Sequence, residues 1–69
     1  MGREVGWEEF TVEREGKKPI KGLMSVGRQM VTVSVGLRRK SAQIGGSPAI
    51  VVARRLLVEL EGERRQLYD

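Results

Sequence analysis

The feature that most constrains the fold is a change of hydrophobic period at a short glycine-rich segment, Gly45–Pro48. Before this segment, apolar and polar residues alternate, and glycine-containing breaks divide the alternation into short runs. After it, apolar residues recur at the three- and four-residue spacing of an amphipathic helix. Because a period of two is typical of strands and a period of about 3.6 of helices, the sequence predicts a sheet followed by one helix.

The alternating part of the sequence predicts four strands joined by short loops. The predicted strands are Trp7–Arg14, Ile20–Val26, Gln29–Val35 and Arg38–Ile44. The predicted loops are Glu15–Pro19, Gly27–Arg28 and Gly36–Leu37. A two-residue loop that begins with glycine is typical of a type II′ turn. We therefore expect consecutive strands to pair antiparallel, as a meander.

These loops also predict the strand registers, because a turn determines which residues face each other across a hairpin. We expect Met24 opposite Val31, Val31 opposite Ala42, and Phe10 opposite Met24. All three registers place one set of apolar residues on the same face of the sheet. They are Phe10, Val12, Ile20, Met24, Val26, Val31, Val33, Ala42 and Ile44.

Ser47 and Pro48 predict the start of the helix, since serine caps helix N-termini and proline is favoured at the first helical position. We predict a helix over residues 47–62 and a polar tail over residues 63–69. The helix has one apolar arc, formed by Ala49, Ile50, Val52, Ala53, Leu56, Leu57 and Leu60. The predicted fold class is therefore α+β, a four-stranded antiparallel β-meander (ββββα) with one C-terminal amphipathic helix packed on one sheet face. It forms a single small domain, residues 1–69, with the meander in residues 7–45.

The absence of cysteine and histidine narrows the classes of function. Imidazole and thiolate catalysts are missing, disulfides cannot form, and the common ligands of zinc are absent. The remaining carboxylates and serines form no recognisable catalytic motif, so we expect a protein that is not an enzyme and has no metal or cofactor. A chain of 69 residues also supports only a small core, which favours self-association as a further source of stability.

Four apolar residues outside the predicted core are candidates for a self-association surface. Val51 and Val58 lie two helical turns apart, on the helix face away from the sheet, and Leu23 and Met30 lie on the uncovered sheet face. An apolar line flanked by charge is typical of a seam between helices. We therefore expect a small binding or assembly protein that forms a homodimer or binds a small protein partner. The alternative is that these side chains are isolated and exposed, which requires no partner.

Six cations gather at one end of the predicted sheet and are candidates for binding a polyanion. They are Lys17, Lys18, Lys21, Arg38, Arg39 and Lys40. They come together because the first and third loops of a meander share one end of the sheet. Such a cluster, with the net charge of +4, is compatible with a nucleic-acid-binding accessory protein that contacts phosphates. The alternative is neutralisation within the fold, because the returning helix brings Glu59, Glu61 and Glu63 to the same end.

The longest apolar run, AIVVA, is too short to cross a bilayer, and the N-terminal residues do not resemble a signal peptide. We therefore expect a soluble cytoplasmic protein that does not bind membranes.

Overall fold

The computed structural model describes the backbone of residues 6–68 and the side chains of residues 6–63. Its elements are β1 (Glu8–Arg14), β2 (Lys17–Val26), β3 (Met30–Val35), β4 (Arg38–Gln43) and α1 (Ala49–Tyr68). The strands form one antiparallel sheet in the order β1-β2-β3-β4, and α1 packs on one face of it. The predicted α+β meander with a C-terminal helix is confirmed.

The core lies between α1 and the sheet face beneath it, which we call the covered face; the opposite face is the open face. Its buried apolar side chains are Val12, Ile20, Val31, Val33, Val52, Ala53, Leu56, Leu57 and Leu60. Phe10, Met24, Ala42 and Ile44 pack around them. Val26 and Ile50 were expected in this core but are 49% and 40% exposed. Val26 is the last residue of β2 and Ile50 lies in the first turn of α1, so both lie at the margin of the contact.

The pairing of β3 with β4 has the predicted register. Val31 lies opposite Ala42, and Gly36–Leu37 forms the two-residue turn. Gly36 has a φ of 63°. A type II′ turn requires positive φ at its first central position, and glycine adopts this conformation without strain.

The predicted register of β2 and β3 was wrong by two residues. Met24 pairs with Val33 instead of Val31, because the last pair of the hairpin is Val26 with Val31, which leaves four residues between the paired positions and not two. A hydrogen bond from the Gly27 N–H to the Met30 carbonyl, 2.8 Å long, closes this loop. A second glycine-led dipeptide in the sequence therefore does not form the tight turn that Gly36–Leu37 forms.

The predicted register of β1 and β2 was also wrong by two residues. Phe10 pairs with Gly22 instead of Met24, because β2 begins at Lys17 and the chain turns at residues 15–16. Gly16, with a φ of 75°, supports this shorter turn. A slip of two residues leaves every side chain on the same face, since successive side chains alternate between faces. The predicted apolar face is therefore retained although two of the three pairings are not.

The helix is longer than predicted. The Pro48 carbonyl accepts a hydrogen bond from the Val52 N–H, 3.3 Å long, at the start of α1, and the helix continues through Gly62 to Tyr68. The predicted polar tail is therefore helical as far as residue 68, and Asp69 lies outside the described residues. A glycine inside a helix costs about 1 kcal/mol of stability relative to alanine. This cost does not end α1 at Gly62, because the next residue, Glu63, is bound by side chains of β4.

Within residues 6–68, no helix is both long and apolar enough to cross a membrane.

Candidate functional site

The cations of the predicted polyanion site lie in three different environments. In β4, consecutive side chains alternate between the two faces of the sheet. Arg38 and Lys40 therefore lie on the covered face, and Arg39 lies on the open face. Lys17, Lys18 and Lys21 belong to the start of β2, near the first loop.

Arg38 and Lys40 bind the carboxylates of the C-terminal half of α1. Lys40 Nζ lies 2.8 Å from Glu63 Oε2 and 3.2 Å from Glu59 Oε1. Arg38 Nη2 lies 3.0 Å from Glu63 Oε1. This cluster forms because α1 runs back over the sheet and places its acidic residues beside β4. Both cations are thus already paired within the fold and are poor candidates for phosphate contacts.

The charges in this cluster stabilise one another. Hydrogen bonds to Glu63 and Glu59 raise the pKa of Lys40 above its ordinary value. The hydrogen bond from Lys40 lowers the pKa of Glu63 below its ordinary value. Both shifts favour the charged forms, so the pair is ionised at neutral pH. About a third to a half of each of these side chains is exposed, so salt weakens the attraction.

Arg39 contacts an aromatic ring over the open face. Its guanidinium carbon lies 5.2 Å from the centroid of the Trp7 ring. Trp7 precedes β1 at one edge of the sheet, whereas Arg39 is in β4 at the other, so the two side chains reach towards each other across the central strands. Ser25 and Ser34, on the open face of those strands, are 7% and 9% exposed. A cation–π contact of this kind is worth about 0.5–1 kcal/mol at an exposed site.

The remaining predicted cations line a groove of about 410 Å³ beside the β1–β2 turn. The groove is lined by Arg14, Lys17, Lys18, Pro19, Ile20, Lys21, Val35 and Glu61. We call it the basic groove, because four of these side chains are cationic and one is acidic. Among residues 6–63, no ion pair ties Glu61 to the groove lysines.

Arg14 belongs to the basic groove and was missed by the sequence analysis. Its guanidinium Nε and Nη2 both donate to the Lys18 carbonyl, at 3.1 and 2.6 Å. These two bonds hold the guanidinium beside the lysines. Its position as the last residue of the predicted first strand, immediately before the loop, was the one available signal.

The four residues predicted for self-association are exposed on two separate surfaces. On the open face, Leu23 and Met30 are 41% and 45% exposed. They pair with Ser34 and Gln43, respectively, and a hydrogen bond of 2.8 Å between the Thr32 and Ser41 hydroxyls lies in the row between them. Polar groups therefore separate the two apolar side chains, and they form no continuous patch.

The other surface is the side of α1 that faces away from the sheet. Val51 and Val58 are 52% and 45% exposed there. We call this surface the outer helix face. It comprises Val51, Arg54, Arg55, Val58 and Gly62. Val51 and Val58 lie two helical turns apart on one line, so they present a short apolar strip flanked by charge.

No family model matches the chain, and no curated protein or solved structure is significantly similar to it.

Proposed function

We propose that the protein is a small non-enzymatic assembly protein that self-associates through its outer helix face. The observation that supports this proposal is the exposure of Val51 and Val58 along one strip of α1. The opposite arc of the same helix already fills the core, so these aliphatic side chains contribute nothing to packing within one copy. Burying apolar surface is the dominant favourable term in association, and a second copy would bury this strip.

The open face is a weaker candidate for the contact. Its two exposed aliphatic residues are separated by polar groups, and the Trp7–Arg39 pair already covers part of it. The absence of histidine and cysteine from the sequence supports a role in binding rather than catalysis.

Sedimentation equilibrium up to high micromolar concentration tests the proposal. We expect wild-type protein to form dimers, and Val51→Ser/Val58→Ser to raise the dimer dissociation constant at least about tenfold, because each copy loses apolar burial at the contact. The matched control is Leu23→Ser/Met30→Ser, which removes similar apolar area from the open face and should dimerise like wild type. A monomeric wild type would reject self-association, and dissociation in the control alone would move the contact to the open face.

A second candidate function, polyanion binding, is favoured by the basic groove. Arg14, Lys17, Lys18 and Lys21 line one concave surface, with Glu61 as its single acidic residue. Such a surface attracts phosphates without reading sequence. This candidate differs from the one derived from sequence, because Arg38, Arg39 and Lys40 are absent from the groove and Arg14 is added.

Binding of a fluorescent oligonucleotide, measured against salt concentration, tests the second candidate. We expect Lys17→Gln/Lys18→Gln to reduce the slope of log affinity against log salt by about two, since each lost phosphate contact removes about one unit. Arg28→Gln, compared with Lys17→Gln alone, removes the same single charge away from the basic groove and should leave the slope nearly unchanged. Equal effects from both variants, or no binding near physiological salt, would reject a groove-specific site.

A further inference from the structure

We propose that two copies of the chain pair through their α1 helices in an antiparallel orientation, related by a two-fold axis near Val58. In this arrangement Val51 of each copy packs on Gly62 of the other, and Arg54 of each copy faces Glu61 of the other. The inference rests on the proposed self-association and adds the orientation and register of the contact.

Gly62 is the residue of the outer helix face that a single copy does not explain. Glycine weakens a helix interior, yet a Cβ placed at Gly62 meets no described atom within 4 Å, so the fold itself has room for a side chain. Gly62 is exposed and lies one turn beyond Val58 on the same face. A missing side chain allows a neighbouring helix to approach closely. The residue therefore fits a helix contact better than it fits a free surface.

The apolar and charged positions imply a common centre for an antiparallel pair. Three positions fall between residues 56 and 59. They are the midpoint of Val51 and Gly62, the midpoint of Arg54 and Glu61, and Val58 itself. The midpoint of α1, which spans Ala49–Tyr68, falls in the same interval. One register therefore satisfies every proposed contact and overlaps nearly the full length of both helices.

The charges select the antiparallel orientation and a second copy as the partner. A two-fold axis makes the contact self-complementary, so in an antiparallel pair each flank of the strip faces the same flank of the other copy. Arg54 and Glu61 lie two turns apart on one flank, and the axis therefore sets Arg54 against Glu61 twice. In a parallel pair, Arg54 would instead lie beside Arg55 of the other copy at the same height. Like charges would then meet along the contact.

The other flank has the same pattern, with Arg55 and Glu59 in place of Arg54 and Glu61. Glu59 is already held by Lys40 at 3.2 Å, so the Arg54–Glu61 contacts are the ones to test.

A charge-swap experiment on the full chain tests the orientation. In sedimentation equilibrium, Arg54→Glu and Glu61→Arg are each expected to raise the dissociation constant about tenfold, or about 1.4 kcal/mol, because two contacts become repulsive. The double variant Arg54→Glu/Glu61→Arg should restore wild-type affinity. An equimolar mixture of the two single variants should form a heterodimer in preference to either homodimer, as seen by native mass spectrometry. The matched pair Arg28→Glu and Glu15→Arg, which lies outside the contact, should show no such preference.

The variant Gly62→Leu tests the register independently. Leucine is a better helix former than glycine, so the thermal stability of the monomer should not fall. The dimer dissociation constant should nevertheless rise more than about tenfold, because the new side chain prevents close approach.

The outcomes distinguish self-association from the antiparallel register of the contact. A wild type that dimerises while Gly62→Leu dimerises equally well, or while the mixed variants show no preference, would overturn the antiparallel register and leave self-association intact. A wild type that stays monomeric would overturn both.

Discussion

Gly22, in the middle of β2, is the residue at which the helix comes closest to the sheet. A Cβ at this position would lie 2.7 Å from Leu57 Cδ1 and 3.2 Å from the Ser34 carbonyl oxygen. Leu57 is fully buried in the core, so a shift of its side chain would disturb the packing of its neighbours. A glycine inside a strand is typical of such a close approach, so the absence of a side chain at Gly22 determines how deeply α1 packs.

We therefore expect Gly22→Ala to lower the free energy of unfolding by about 1–3 kcal/mol, the usual cost of overpacking a core. Urea denaturation measures the change. Gly27→Ala is the control, since a Cβ there lies 3.6 Å from the Met30 carbonyl oxygen, an ordinary contact, and should have a much smaller effect. The cost of Leu57→Ala should also be smaller in the Gly22→Ala background than in wild type, because the two side chains compete for one space. Additive costs would show that the contact does not limit packing.

At the scale of elements, ion pairs hold the C-terminal half of α1 to β4. The cations of β4 bind Glu59 and Glu63 directly. Glu63 follows Gly62, the weakest position of the helix, so the contact with the sheet stabilises α1 next to that position.

The pKa shifts in this cluster predict a pH-dependent stability. The pKa of Glu63 is lower in the folded state, so its contribution is present above the ordinary glutamate pKa and is lost as the pH falls through the folded value. The pKa of Lys40 is raised, so its contribution is present below the ordinary lysine pKa and is lost as the pH rises through the folded value. Wild type should therefore melt at a higher temperature than Glu63→Gln at neutral pH. This gap in melting temperature should narrow at acidic and at strongly alkaline pH.

Thermal melts across this pH range measure the gap. Glu15→Gln, which removes a glutamate from the exposed β1–β2 turn, should melt close to wild type throughout. A gap between wild type and Glu63→Gln that persists unchanged below about pH 3, where glutamates are protonated, would show that it does not arise from the ion pairs.

At the scale of the whole molecule, α1 presents three sets of side chains to different surroundings. Its inner arc forms the core, Glu59 and Glu63 neutralise Arg38 and Lys40, and its outer face, which we propose as the contact with a second copy, is exposed. An antiparallel helix pair would bury the two outer faces and leave both open faces directed outwards. Each copy would retain the four cations of its basic groove, whereas Glu61, the acidic residue of that groove, would face Arg54 of the other copy. A dimer would therefore present two sets of cations to an extended polyanion and gain avidity from their linkage.

Much of this arrangement follows from local patterns in the sequence. The alternation of apolar residues identifies the strands, and the Ser47–Pro48 segment marks the start of the helix. The strip of Val51 and Val58 was also visible in the sequence, because exposure on a helix depends on spacing along the chain. The basic groove was found only in part, since Arg14 is fixed by a backbone carbonyl that no side-chain pattern reports.

The sequence by itself determined which residues form strands, which form the helix, and which face of each is apolar, because side-chain direction follows from the backbone period. Only the tertiary structure decided the registers of the first two hairpins, because a slip of two residues keeps every side chain on its face. It also decided the roles of the clustered cations. Whether a cation pairs with a carboxylate, stacks on Trp7 or remains in a groove depends on groups that are distant in the chain, and folding brings those groups together.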